Sequence, residues 1–281
     1  MEILRGLTVP ITDSSILLVA VIKDEVLLLE YFLKHYATIG ITHFIFIDND
    51  STDGSTRYLC DASYNIMLFH TQELFRFNKM KWTNHVLNTY CKDKWTAVVD
   101  ADELIHVPDL RALSAQLEQE RANVCRLYLL DMYPRDAGTI YKQGEPFLKH
   151  SNYYDKESAI NKGYYDGVRK RVMGVGSMLR KLSFFKYNFG CHSTLELGCH
   201  DISQPFEKHR CVRYSRSSQI LLHFKFMKPD LRSFFKERLA ENQYWNNSAE
   251  YKVYAAQEDY NFYDPAYSLC IDVCKPVFSF I

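Results

Sequence analysis

No apolar run in this chain approaches the roughly 18 residues that cross a bilayer; the longest strongly apolar stretch is only Ile16 to Ile22. A secretory leader is missing as well, because Glu2 comes early, the apolar stretch starts late and no small-residue cleavage site follows it. These absences set the expectation of a cytoplasmic protein without a transmembrane segment, leaving peripheral contact with the inner face of a membrane open. An excess of charge of one sign is lacking too, since 34 Lys and Arg balance 34 Asp and Glu. That speaks against the broad positive footprint of a nucleic-acid binder. There is no CxxC pair, and the eight cysteines are scattered, which reads as reduced and mostly buried thiols. Cys270 with Cys274, and Cys191, His192, Cys199 and His200, leave a zinc site conceivable. Internal repeats and low-complexity linkers are absent.

What is present is an ordinary globular composition, 47% apolar and 24% charged over 281 residues, which sets aside disordered, collagen-like and coiled-coil classes. That length suits one large domain or two small ones. Aromatic residues are the excess, at 15%; such rings either stack on sugars and bases or fill a core.

The first half alternates β-rich runs with amphipathic stretches, the pattern of βαβ units around a mostly parallel sheet flanked by helices. Strands are expected at Ile16–Ile22, His43–Ile47, Ile66–Phe69, Trp95–Val99 and Val124–Leu130. Helices are expected after Leu28 up to the stop at Gly40, over a short stretch ending near Cys60, from about Lys79 to Cys91, and along Leu110, Leu113 and Leu117. Residues 131–176 lose this periodicity and read as long loops over one face of the sheet. Leu182–Tyr187 and Ser218–Phe226 read as two late strands, and Asp230 to about Tyr244 as a charged helix. The simplest division is one domain over 1–240 with a C-terminal extension, 241–281, packed on it.

Two strands run straight into clustered carboxylates at their C-terminal ends: Asp48, Asp50 and Asp53 after the second, Asp100 and Asp102 after the fourth. In open parallel sheets that edge is where ligands bind. Two carboxylates held close repel, and a hard divalent cation such as Mg²⁺ or Mn²⁺ relieves the repulsion while holding phosphate oxygens. Asp, Asn and Ser also favour turns and helix N-caps, so for Asp48 to Asp53 the two readings stand level.

Four stretches together resemble the inverting glycosyltransferases of family 2, including a family 92-like branch. They are Lys23-Asp24-Glu25 running into Leu29-Glu30-Tyr31 and on to His35 and Gly40; Asp48-Asn49-Asp50-Ser51-Thr52-Asp53; Asp100-Ala101-Asp102-Glu103, similar to the family's D-x-D-E element; and Leu222-His223-Phe224-Lys225. The resemblance implies a GT-A fold, Rossmann-like with long acceptor-side loops. It also implies a nucleotide-sugar donor, with uridine as the base, and Mn²⁺ or Mg²⁺. It would place Asp48 and Asp50 on base and ribose, with Lys23 and Glu25 in the same pocket. Asp100 would meet ribose and metal, Asp102 the metal, and His223 would be a third protein ligand unless it is a packed strand histidine. Lys225 or Lys81 would meet the pyrophosphate, with Asn84 near the donor.

The family's usual E-D element for the catalytic base is missing in that form. A carboxylate or histidine within reach of the acceptor hydroxyl must serve, and Glu196, Asp201, His200 and His192 are the candidates in falling order. Tyr133, Tyr153, Tyr154 and Tyr164 either line a groove for a glycan or lipid-linked acceptor or anchor loops. Arg169, Lys170 and Arg171 either hold an acidic acceptor or headgroup or form a solvated face. Two other functions remain in view. A sugar-phosphate nucleotidyltransferase needs a glycine-rich loop near the first strand, and Val19 to Val26 contains no glycine. A glycosyltransferase-like scaffold without turnover would explain the missing base, and such a protein would not hydrolyse a nucleotide-sugar.

Overall fold

The structure, a computed structural model, describes residues 1–156, 160–161, 164–165, 167–188, 194–196, 199–203 and 212–271. Its frame is a nine-stranded sheet. In chain order the sheet strands are β1 (Glu2–Arg5), β2 (Ile16–Ile22), β3 (His43–Asp48), β4 (Ile66–His70), β5 (Trp95–Val98), β6 (Glu103–Ile105), β7 (Val124–Asp131), β8 (Arg180–Lys186) and β9 (Tyr214–His223). The helices named below are α1 (Val26–Thr38), α2 (Ser55–Asp61), α3 (Phe75–Tyr90), α4 (Leu110–Gln119), α5 (Val168–Met173), α6 (Leu231–Glu241) and α7 (Trp245–Ala255).

Across the sheet the order is β1-β4-β3-β2-β5-β8-β7-β9-β6. The pairings run β4, β3, β2, β5, β7 and β9 in one direction and β1, β8 and β6 in the other. The expected α/β architecture, a mostly parallel sheet flanked by helices, is thus the one observed. Its consequence is that most strands deliver their C-terminal ends to a single edge.

β2 is apolar throughout because both of its faces are covered. Leu18, Ala20 and Ile22 meet Leu28, Leu29, Phe32 and Tyr36 of α1 in one core, while Leu17, Val19 and Val21 share a second with Trp82, Val86 and Leu87 of α3. Gly40, at φ +110°, allows the turn between α1 and β3 that a side chain would strain. Asp109 caps α4 by accepting from the backbone N–H of Arg111 at 2.7 Å, a contact of the kind that contributes about 1 kcal/mol.

A third, largely aromatic cluster holds Tyr133, Phe226, Phe235, Tyr251, Tyr254 and Phe262 under α5, α6 and α7. Much of the aromatic excess lies in it. Tyr133 is fully buried with its hydroxyl on Asp155 at 2.5 Å, Tyr154 is buried, and Tyr153 packs on Tyr263. Tyr133 and Tyr154 are thus packed as loop anchors while Tyr153 is half-buried; the side chain of Tyr164 lies outside the described residues. The stretch expected as long loops contains α5 and the short strand Tyr153–Asp155, paired with Ser268–Cys270. The boundary expected at residue 240 falls in the last turn of α6.

Candidate functional site

Strand register builds the site. Ile22 of β2 stands opposite Asp48 of β3, and Asp48 opposite His70 of β4. On the other side of the sheet His223 of β9 stands opposite both Asp131 of β7 and Glu103 of β6. An open cleft sits at this edge, walled in part by Phe234, Arg238 and Glu241 of α6 and by Gln243, Tyr244 and Tyr251 beyond it. It brings together Lys23, Glu25, Asp100, Asp102, His223 and Lys225, all named from the sequence, and adds Lys79, Lys228, Arg238 and Glu241.

The loops after β2 and β3 are laced to each other. Asp24, in the left-handed region at φ 55°, accepts from the N–H of Thr52 at 2.7 Å and of Asp53 at 3.2 Å. Asp53 accepts from the N–H of Val26 at 2.9 Å. That lacing leaves Lys23 and Glu25, on either side of Asp24, in the cavity wall. Neither Asp48 nor Asp50, expected at base and ribose, lines the cavity. Asp48 is fully buried and accepts from Thr56 Oγ1 at 2.8 Å, from Ser51 Oγ and from His70. Asp50 faces solvent and takes Gln72 Nε2 at 3.1 Å. From this loop it is Asn49 that reaches the cavity.

The two carboxylates after β5 have different surroundings. Asp100 receives Lys79 Nζ at 2.7 Å and Lys181 Nζ at 3.2 Å, and Lys181 also pairs with buried Glu103. Burial opposes the charge on Asp100, but Lys181 and Lys79 outweigh it and hold the carboxyl below its usual range. Asp100 thus lines the cavity with its carboxylate shared between two ammonium groups. Asp102 faces His223 instead, its Oδ2 at 3.5 Å from Nε2. Nδ1 of the same ring is 2.6 Å from Asp131 Oδ1, and Asp131 Oδ2 accepts from Arg169 Nε at 2.7 Å. Burial disfavours the imidazolium, but Asp102 and Asp131 reverse this and raise His223 to about 9.

A divalent cation fits part of this set. Asp102 supplies a hard oxygen and His223 a ring nitrogen whose partner nitrogen is held by a carboxylate, the arrangement that orients metal-binding imidazoles. Among the described residues no group of three His, Cys, Asp or Glu side chains converges as a complete cation cage. The remaining positions would fall to ligand oxygens and water, as is usual for Mg²⁺ with phosphates. Basic side chains stand ready for such oxygens: Lys225 lies over the rings of Tyr251 and Tyr254 at 4.9 and 5.5 Å, Lys228 is 2.6 Å from Glu25, and Lys23 is 3.3 Å from Glu241.

Other expected residues fall elsewhere. Lys81 is exposed on α3 and outside the cavity; Lys79, half a turn earlier, is the lysine that faces it. Asn84 takes up both groups of Leu195, its Nδ2 donating to the carbonyl at 3.1 Å and its Oδ1 accepting from the N–H at 2.9 Å, so it is a strand clamp. Arg169 and Arg171 are paired with Asp131 and Asp155 at 2.7 Å each, while Lys170 between them is exposed. His200 lies off the cavity with Nδ1 2.5 Å from the carbonyl of Arg180, and burial lowers it to about 4. Glu196 and Asp201 pair as backbone partners; their side chains, and His192, lie outside the described residues. Of the cysteines weighed for zinc, Cys199 and Cys270 are free thiols, and Cys191 and Cys274 lie outside the described residues. Asp131, Glu241 and Glu250 escaped the sequence reading, although Asp131 ends its strand as Asp48 does.

No protein-family model matches the chain, and no curated protein matches it. Among solved structures it is similar to S. aureus TarS 1-349, at 11% identity over 85% of this chain and 70% of that one, with a TM-score of 0.41. The same protein in complex with UDP gives 12% identity, 86% and 70% coverage and a TM-score of 0.43. In complex with UDP-GlcNAc it gives 12%, 81% and 65%, and 0.41. A likeness of that depth assigns no role to any residue here.

Proposed function

We propose that this chain is a metal-dependent inverting glycosyltransferase that moves a sugar from a nucleotide-sugar to a hydroxyl acceptor on a glycan or lipid. The observation that carries the reading is the convergence, at the C-terminal edge of the sheet, of the Asp102–His223 pair with Lys23, Lys79, Lys225, Lys228 and Arg238. Such a wall suits a diphosphate. Asp102 and His223 would hold Mn²⁺ or Mg²⁺, whose chemistry is to neutralise charge on the departing nucleoside diphosphate. Lys225 has the loosest ion pair of the group, 3.9 Å from Glu250, and is assigned to the pyrophosphate. Lys79 and Lys181 hold Asp100, and through it the turn that presents Asp102. Asn49 and the Lys23–Glu25 loop border the nucleoside side. The catalytic base remains assigned to Glu196 or Asp201 before His200, whose ring is occupied by the Arg180 carbonyl.

The test is a thermal-shift panel of UDP, UDP-GlcNAc and the GDP-, dTDP- and CMP-linked sugars, each with Mn²⁺, Mg²⁺ or EDTA; the first two are the ligands of the TarS complexes. A ligand that binds only the folded state at a hundredfold excess over Kd adds about 2.7 kcal/mol. A shift with one nucleotide that disappears in EDTA is expected. Flat curves throughout would overturn the assignment.

A further inference from the structure

Asp131 does not line the cavity, yet its carboxylate bears on the imidazole that does. Oδ1 takes His223 Nδ1 at 2.6 Å and Oδ2 takes Arg169 Nε at 2.7 Å, while parallel pairing holds the two strands with His223 opposite Asp131. A ring nitrogen that donates to a carboxylate carries the proton, which leaves the other nitrogen to meet a cation. That other nitrogen, Nε2, is the one facing Asp102. Arg169 has only donors to offer, so it demands an acceptor from Asp131, and it is itself steadied by Glu250 at 3.2 Å.

We propose that Asp131 and Arg169 act together as positioning residues that keep the ring proton of His223 on Nδ1 and so leave Nε2 bare toward the cation site. The inference rests on reading Asp102 and His223 as a cation-binding pair. Arg169 gives it a signature that a packing role lacks. In Asp131→Asn the single side-chain oxygen goes to Arg169, and the amide NH₂ is left against Nδ1. Nδ1 must then accept, which moves the ring proton to Nε2, where the cation would bind. With Arg169→Met added, nothing compels that orientation, and the amide oxygen can turn back to Nδ1.

The experiment counts free Mn²⁺ by electron paramagnetic resonance, with and without UDP, for the wild-type chain, Asp131→Asn and Asp131→Asn/Arg169→Met. Expected is a 10- to 100-fold loss of Mn²⁺ affinity in the single variant, as for other partners of metal-bound histidines, and recovery of most of that loss in the double variant. Equal affinity in the single variant, or an equal loss in both, would overturn the inference and leave the cation-binding pair standing. No uptake by the wild-type chain would overturn both. Should the single variant not fold, nitrogen NMR of His223 in the wild-type chain loaded with Zn²⁺ decides: a proton on Nδ1 supports the proposal, and a proton on Nε2 contradicts it.

Discussion

Lys181 lies between Asp100 and Glu103 with little access to water. Removing one member of a buried ion cluster costs about 3–5 kcal/mol, because the partner is left charged and unpaired. Lys181→Met should lower stability in urea by about that amount, whereas exposed Lys81→Ala should stay within about 0.5 kcal/mol; equal effects would contradict the placement of the two lysines. Histidines divide by the sign of their shifts. Burial holds His35 at about 4, below its unfolded value near 6.5, so its contribution is present above pH 6.5 and lost as pH falls toward 4. His223, raised to about 9 by Asp102 and Asp131 against its burial, contributes fully below pH 6.5 and loses that contribution as pH rises through 9. Denaturation across pH should therefore show His35→Gln flattening the acid limb and His223→Gln the alkaline limb.

At the scale of elements, α3 ties the cavity to the hairpin of residues 194–196 and 201–203. Asn84 satisfies both peptide groups of Leu195, and an orphaned buried pair costs about 1–3 kcal/mol per group. Asn84→Leu should lower the melting temperature and speed hydrogen exchange at Leu195, and unchanged exchange there would contradict the clamp. The first half of the fold was legible in the sequence because β2, β3 and β5 are buried along their whole length and read as largely apolar runs. α3 was legible only in part: its first turn, Phe75 to Asn78, has no buried residue to mark it. β6 escaped because three residues carry no period, and α7 because its contacts are largely aromatic and reach another helix, as with Tyr251 against Phe235.

For the molecule as a whole, the edge that holds the cavity was legible from carboxylates at strand ends, but that Asp48 and Asp50 stay off it was not. Asp48 and Asp50 differ from Asp102 through partners such as His70, Gln72 and His223, which only the fold brings near. The same holds for Asp131, whose strand-end position was visible while its alignment with His223 depended on β7 and β9 pairing across 92 residues of sequence. No helix among the described residues is long and apolar enough to cross a membrane. That agrees with an apolar pattern used for covering two faces of one sheet.

The assay that decides the proposed activity follows release of nucleoside diphosphate from a nucleotide-sugar with Mn²⁺, for the wild-type chain and for Asp102→Asn. Turnover with one donor, abolished by EDTA and reduced at least tenfold in a folded Asp102→Asn variant, is expected. Metal-dependent binding without any turnover would contradict transfer and identify the chain as a nucleotide-sugar-binding scaffold.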